Sequence, residues 1–258
     1  MTTKRLYYDD AFQREFTAEV LSCEPGTGAA LGGTAQLETS AGAAALATAN
    51  GPLWRVKLDR TAFYPTSGGQ PYDTGQLGDS RVVDVVDEED EVIHVVDKSI
   101  AIGPVQGTID WHRRFDHMQQ HTGQHVLSAV FHSRFALPTV SFHLGSDVCT
   151  IDVRGREPTQ EILDGAMAAA NDVVYADRAV NVKYGTAEEL AAAGVRKTVE
   201  RSGTLRAIEI EALELQPCGG THIQRTGQIG MILVRGVSRI RQDWRVEFAC
   251  GGCSRRGR

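Results

Sequence analysis

A chain of 258 residues has room for one large domain or two ordinary ones, and a hydrophobic content of 41% can supply a buried core. No apolar run approaches the roughly 18–20 residues of a membrane span, so a membrane partner is not expected. Five cysteines, an odd number, and an N-terminus with no apolar leader argue against a disulfide framework and for a reducing, cytoplasmic setting.

Taken in order, Leu6-Tyr7-Tyr8 reads as a strand opening, and Phe16 to Ser22 as a second strand. Residues 24–52, rich in Ala, Gly and Thr, read as a loop insertion without function. Trp54 to Leu58 alternates as a strand. The glycine-rich stretch Phe63-Tyr-Pro-Thr-Ser-Gly-Gly-Gln70 follows, and its Gly68-Gly69 pair lets the backbone approach a ligand or another segment. Arg81 to Val86 and Glu91 to Val96 form a hairpin around an acidic turn, and Gly107 to Asp110 adds a short strand. Residues 1–108 thus read as a small β-barrel module.

Near Trp111 the period changes. A helix is expected over Asp116 to Phe135, with Met118, His121, Val126, Leu127, Val130 and Phe131 on its inner side. Strands follow at Thr139–Leu144 and Val148–Val153. A second long helix is expected over Pro158 to Arg178, with Ile162, Met167, Ala170, Val173 and Val174 as its apolar stripe. Asn181 to Tyr184 reads as a strand, Ala187 to Ala193 as a short helix, and Leu205 to Leu213, Gly230 to Arg235 and Arg245 to Cys250 as strands. Residues 109–258 therefore form a second domain. The fold class is α+β: a barrel module, then two long helices on an antiparallel sheet.

Two motifs carry chemistry. His121-Thr-Gly-Gln-His125 places two imidazoles four apart on one helix face, and Cys218-Gly-Gly-Thr-His222 places a thiol and an imidazole in a glycine-rich turn. Three imidazoles and a thiolate suit tetrahedral zinc. Four ligands favour a closed site, and three ligands with a water in the fourth position are the alternative. The zinc protease motif is excluded, because no glutamate stands between His121 and His125. The lone Cys250/Cys253 pair reads as incidental. Alternation puts Thr139, Ser141 and His143 on one strand face, which offers hydroxyl and imidazole groups if that face looks at the metal. Charge is uneven: residues 194–258 carry 12 Lys and Arg against 6 Asp and Glu, although the whole chain is at −6. A basic face on an acidic protein suits phosphates.

Three blocks in order resemble the AlaX family, the free-standing relatives of the alanyl-tRNA synthetase editing domain. They are Phe63 to Gln70 with Asp73-Thr-Gly75, His121-Thr-Gly-Gln-His125-Val-Leu, and Pro217-Cys-Gly-Gly-Thr-His222 followed by Thr226-Gly-Gln-Ile-Gly230. The medium-length subclass fits best. The resemblance implies hydrolysis, in trans, of the ester in seryl-tRNA(Ala) and in some members glycyl-tRNA(Ala), with no protein partner required. It implies His121, His125, Cys218 and His222 as zinc ligands, and Thr139 as the sensor of the serine hydroxyl. His143 is then a candidate for contact with the ester or its attacking water. Gly69, Gln70 and Ser141 are candidates for substrate binding, and Arg196, Lys197, Arg201, Arg206 and Arg225 for the acceptor-stem phosphates. The alternative reading is a zinc-stabilised RNA-binding module without hydrolysis.

Overall fold

The computed structural model describes residues 2–26, 52–145, 148–195 and 203–252, and the chain divides into two compact units, Met1–Arg114 and Phe115–Arg258. Most of the 24–52 insertion lies outside the described residues.

The first unit is a closed barrel. Its strands are β2 (Glu15–Pro25), β3 (Trp54–Leu58), β5 (Gly75–Leu77), β6 (Ser80–Glu88), β7 (Glu91–Val96) and β8 (Gly103–Ile109), in the order β2-β3-β7-β6-β5-β8. Strict alternation drives the closure: Phe16, Ala18 and Val20 point inward between exposed neighbours and join Val56, Leu58, Phe63, Leu77 and Val85 in the core. Two further strands, β1 (Lys4–Arg5) and β4 (Arg60–Thr61), pair in parallel outside the barrel. Leu6-Tyr7-Tyr8 is not a strand. The segment Leu6–Asp9 (α1) is a single helical turn, closed by the Asp10 N–H on the Leu6 carbonyl at 2.9 Å. The turn sets Tyr7 edge-on against Tyr64, with centroids 5.2 Å apart, and burial of that ring outweighs continued pairing.

Ser67 to Gln70 forms a two-residue hairpin turn, with mutual backbone bonds of 2.9 and 3.1 Å. Gly68 and Gly69 both take positive φ, 54° and 83°, which is why two glycines stand there. The tip is exposed, whereas Gln70 is buried within the first unit.

The helix α2 (Trp111–Phe135) begins five residues before the expected start, because Asp110 caps it: its carboxylate accepts the Arg113 N–H at 3.3 Å. Residues 120–131 of this helix are all buried, so it is enclosed on every side rather than amphipathic.

The second unit holds two antiparallel sheets. One has the order β14-β15-β10-β9, from β9 (Thr139–Leu144), β10 (Cys149–Val153), β14 (Ile232–Ile240) and β15 (Asp243–Cys250). The other is β11-β12-β13, from β11 (Val180–Gly185), β12 (Leu205–Ile210) and β13 (Glu214–Pro217). The expected single strand Leu205–Leu213 is broken by a turn at Glu211–Leu213, where Ala212 takes φ 54°, and the chain returns as β13. The helix α3 (Gln160–Tyr175) is capped by Thr159, and the short α4 (Ala187–Ala192) by a Thr186/Glu189 capping box. Leu163 and Ala166 belong to the buried stripe of α3, whereas Met167 is only half-buried. The architecture is mixed α+β, with four helices among the described residues, two of them long. No helix among them is long and apolar enough to cross a membrane.

Candidate metal centre

Helical geometry brings His121 and His125 one turn apart on α2. Cys218 and His222 come from the loop after β13, and Arg206 shapes that loop. Its guanidinium donates to the carbonyls of Cys218 at 2.7 Å and Gly220 at 3.0 Å, while the Cys218 N–H bonds the Arg206 carbonyl at 3.1 Å. The four ligand atoms all lie within 4.8 Å of one another. Cys218 Sγ is 3.5 Å from His121 Nε2 and 3.3 Å from His222 Nε2. Tetrahedral zinc with bonds of about 2.0–2.3 Å needs ligand atoms about 3.3–3.8 Å apart, so the donor set and the two Cys218 distances fit the ion.

The charge state fits as well. Burial raises the Cys218 thiol, but its interactions with the neighbouring His121 and His222 imidazoles outweigh it and hold the group well below its usual value. Burial lowers His125, yet its hydrogen bonds to Cys218 and Glu214 lift it to about 10. Burial and the neighbouring His121 push His222 down to about 3. The direction at Cys218 favours the thiolate, the form that ligates a cation.

Contacts beyond the four ligands were not legible in the motifs. Glu214 Oε2 stands 3.0 Å from His125 Nδ1, and Thr122 Oγ1 stands 3.1 Å from His222 Nδ1. Gly123, between the two ligand histidines, is a close-approach position: a Cβ there would meet Cys250 Sγ at 2.3 Å. Gln120 grips the Cys250 backbone in both directions, at 2.8 and 2.9 Å. Cys250 is therefore a packing element against α2.

Thr139, Ser141 and His143 do not share a face. Ser141 pairs with Asp152 but Thr139 pairs with Val153, so the register slips at Val140 and strict alternation fails. The bulge turns Thr139 toward α2, where its hydroxyl bonds Ser128 Oγ at 2.8 Å. Phe142 also faces α2, with its ring 5.3 Å from that of His121. Ser141 bonds Asp152 at 2.6 Å on the opposite, polar face, and His143 follows it there, exposed. Ser128 lies one turn beyond His125 and also receives Gln124 Nε2 at 2.8 Å. Gln124 is buried, and its Oε1 has no hydrogen-bond partner among the described residues.

The expected phosphate-binding cations divide. Arg196, Lys197 and Arg201 lie outside the described residues. Arg206 is committed to the metal loop, and Arg225 pairs with Asp177 at 2.6 Å.

The profile of the family described as "Threonyl and Alanyl tRNA synthetase second additional domain" matches residues 205–247, from β12 through the Cys218 loop into β15. The chain is 34% identical to the alanyl-tRNA editing protein AlaX-L of Pyrococcus horikoshii, over 76% of this chain and 51% of that protein. It is 30% identical to the alanyl-tRNA editing protein Aarsd1 of Rattus norvegicus, over 91% of this chain and 55% of that protein. An alanine–tRNA ligase of Pyrobaculum calidifontis is 34% identical over 92% of this chain and 25% of the ligase. The chain spans about half the length of the curated editing proteins it matches.

Proposed function

Because the chain belongs to the AlaX/Aarsd1 family of alanyl-tRNA editing proteins, we propose that it hydrolyses mischarged tRNA(Ala) in trans, chiefly seryl-tRNA(Ala) and secondarily glycyl-tRNA(Ala). The observation that carries this reading is the largely buried three-histidine, one-cysteine cluster, two of whose members, Cys218 and His222, lie in the stretch 205–247 that the synthetase-domain profile matches. An alanine pocket rejects glycine and serine only weakly, since one is smaller and the other differs by a hydroxyl, so a second hydrolytic site is needed.

The ion best suited to these ligands is zinc, held by His121, His125, Cys218 and His222; bound there, it would supply a fixed positive charge to orient and polarise the aminoacyl end. The reaction adds water to the ester carbonyl, breaks the bond to the terminal ribose oxygen, and releases the free amino acid and the tRNA hydroxyl. Thr139 and Ser128 form a hydroxyl pair one helical turn from His125. We assign recognition of the serine side chain to this pair, with Gln124 Oε1 as a buried acceptor beside it. An alanine methyl would leave that acceptor unpaired, which favours hydrolysis of serine over alanine. Ser141 and His143, turned to the other sheet face, receive no role at the ester.

One observation favours the second reading, an RNA-binding module with a structural metal: four candidate ligand side chains converge, their ligand atoms within 4.8 Å of one another, which closes the site on counting. Incubation with seryl-, glycyl- and alanyl-tRNA(Ala), wild type against Cys218→Ala, separates the two. The editing reading requires rapid loss of serine, retention of alanine and collapse in the variant. RNA binding by folded, metal-loaded protein without hydrolysis of any of the three would establish the binding module instead.

A further inference from the structure

We propose that Thr122 and Glu214 are positioning residues that brace the metal centre reciprocally, each motif holding a histidine supplied by the other. The inference rests on the reading of the cluster as a metal site. All three imidazoles turn Nε2 inward: His121 and His222 meet Cys218 Sγ through Nε2, and His125 gives its Nδ1 to Glu214. An imidazole that ligates through Nε2 carries its proton on Nδ1, and that buried N–H needs an acceptor.

The acceptors come from opposite sides of the sequence. Thr122 sits between the two helix ligands, yet its hydroxyl faces His222, 100 residues away. It is fully buried, and it also accepts the Ile223 N–H at 3.4 Å. Ligation through Nε2 leaves the proton of a neutral His222 on Nδ1, so with metal bound the hydroxyl accepts from Nδ1 as well as from the Ile223 N–H. Glu214 precedes the Cys218 loop by four residues, yet its carboxylate faces His125, 89 residues away. A carboxylate only accepts, so it fixes the proton on His125 Nδ1 in the same sense. The glycine-rich loop alone does not orient His222, and the helix alone does not orient His125. Each ligand is aimed only when the other motif is in place. The two braces differ in strength, because a charged acceptor outweighs a neutral one.

The test is zinc affinity, measured by competition with a chromogenic chelator for wild type, Thr122→Val, Thr122→Ser, Glu214→Ala and Glu214→Gln. Thermal midpoints of the metal-free proteins are recorded in parallel. Thr122→Val and Glu214→Ala are expected to weaken zinc binding by about 10- to 100-fold, the usual cost of losing such a partner. Thr122→Ser, which keeps the hydroxyl, should restore affinity. Glu214→Gln, which keeps an acceptor without charge, should fall between wild type and alanine. Cobalt loaded in place of zinc should show a shifted visible band in the valine and alanine variants and a native band in the serine variant.

Were Thr122→Val or Glu214→Ala to fail to fold, Thr122→Ser and Glu214→Gln carry the test through the same graded affinities. Unchanged zinc affinity in folded Thr122→Val and Glu214→Ala would overturn the proposal, as would a wild type that binds no zinc. Graded affinities in a wild type that hydrolyses no aminoacyl-tRNA would support the brace and contradict the editing function alone.

Discussion

The long helix α2 carries two buried polar clusters seven residues apart, and they are built on opposite principles. Arg114, in the first unit, is fully buried and closed by its own surroundings. Its Nε meets both Asp73 carboxylate oxygens at 3.0 Å, its other donors reach the carbonyls of Ala11 and Ala62, and Asp73 also accepts the Tyr64 N–H at 2.6 Å. The guanidinium has a counter-charge, and each of its three nitrogens has an acceptor. In the second cluster three imidazoles and a thiol converge, with Cys218 Sγ 3.5 and 3.3 Å from the Nε2 atoms of His121 and His222. The chain supplies it with outward partners, Glu214 and Thr122, and its inward-facing atoms could hold a cation. A buried group completed by protein serves the fold, while one completed from outside serves a ligand.

The comparison breaks most severely at Asp73. Asp73→Ala leaves the Arg114 guanidinium buried and unpaired, and should cost about 3–5 kcal/mol in urea unfolding whether or not metal is present. Comparable destabilisation on metal removal from the wild-type barrel would erase the distinction. His94, buried in the barrel between Thr61 Oγ1 at 2.8 Å and the Val56 carbonyl at 3.3 Å, is the next test. Burial depresses it to about 4 from 6.5. Unfolded chains bind that proton first, so stability is complete above pH 6.5 and falls as pH drops toward 4, by about 3 kcal/mol. A denaturation series across that window, run with His94→Gln as control, reads it directly.

Cys218→Ala should cut hydrolysis of seryl-tRNA(Ala) by at least about 100-fold, the scale of a lost substrate alignment, while the barrel unfolds as before. Thr139→Val should lower the serine rate by about tenfold, one neutral hydrogen bond, and leave zinc content unchanged. His143→Ala, on the far sheet face, should change neither hydrolysis nor zinc content by more than about twofold. A large loss in His143→Ala would show that the polar face takes part after all.

Much of this was written in local pattern. The four clustered side chains follow from two spacings, since four residues make one helical turn and a glycine pair makes a tight loop. The barrel strands follow from alternation at Phe16, Ala18 and Val20. What the pattern hid depended on distant partners. Thr122 reads as an ordinary helical residue until His222 arrives from 100 residues away. Asp110 and Tyr7 moved two element boundaries, one through a cap and one through ring burial. The slip at Val140 matters most for the site. Alternation tied Thr139 to Ser141 and His143, and one extra residue in the ladder separated them. No local composition marks that bulge; it is set by how β10 registers against β9.

The most direct measurement is hydrolysis of seryl-tRNA(Ala) by a single preparation, assayed as zinc-loaded protein, after chelation, and after one equivalent of zinc is returned. The account predicts activity, its loss, and its recovery, with alanyl-tRNA(Ala) spared throughout. Hydrolysis that persists unchanged in the fully metal-stripped protein would contradict it.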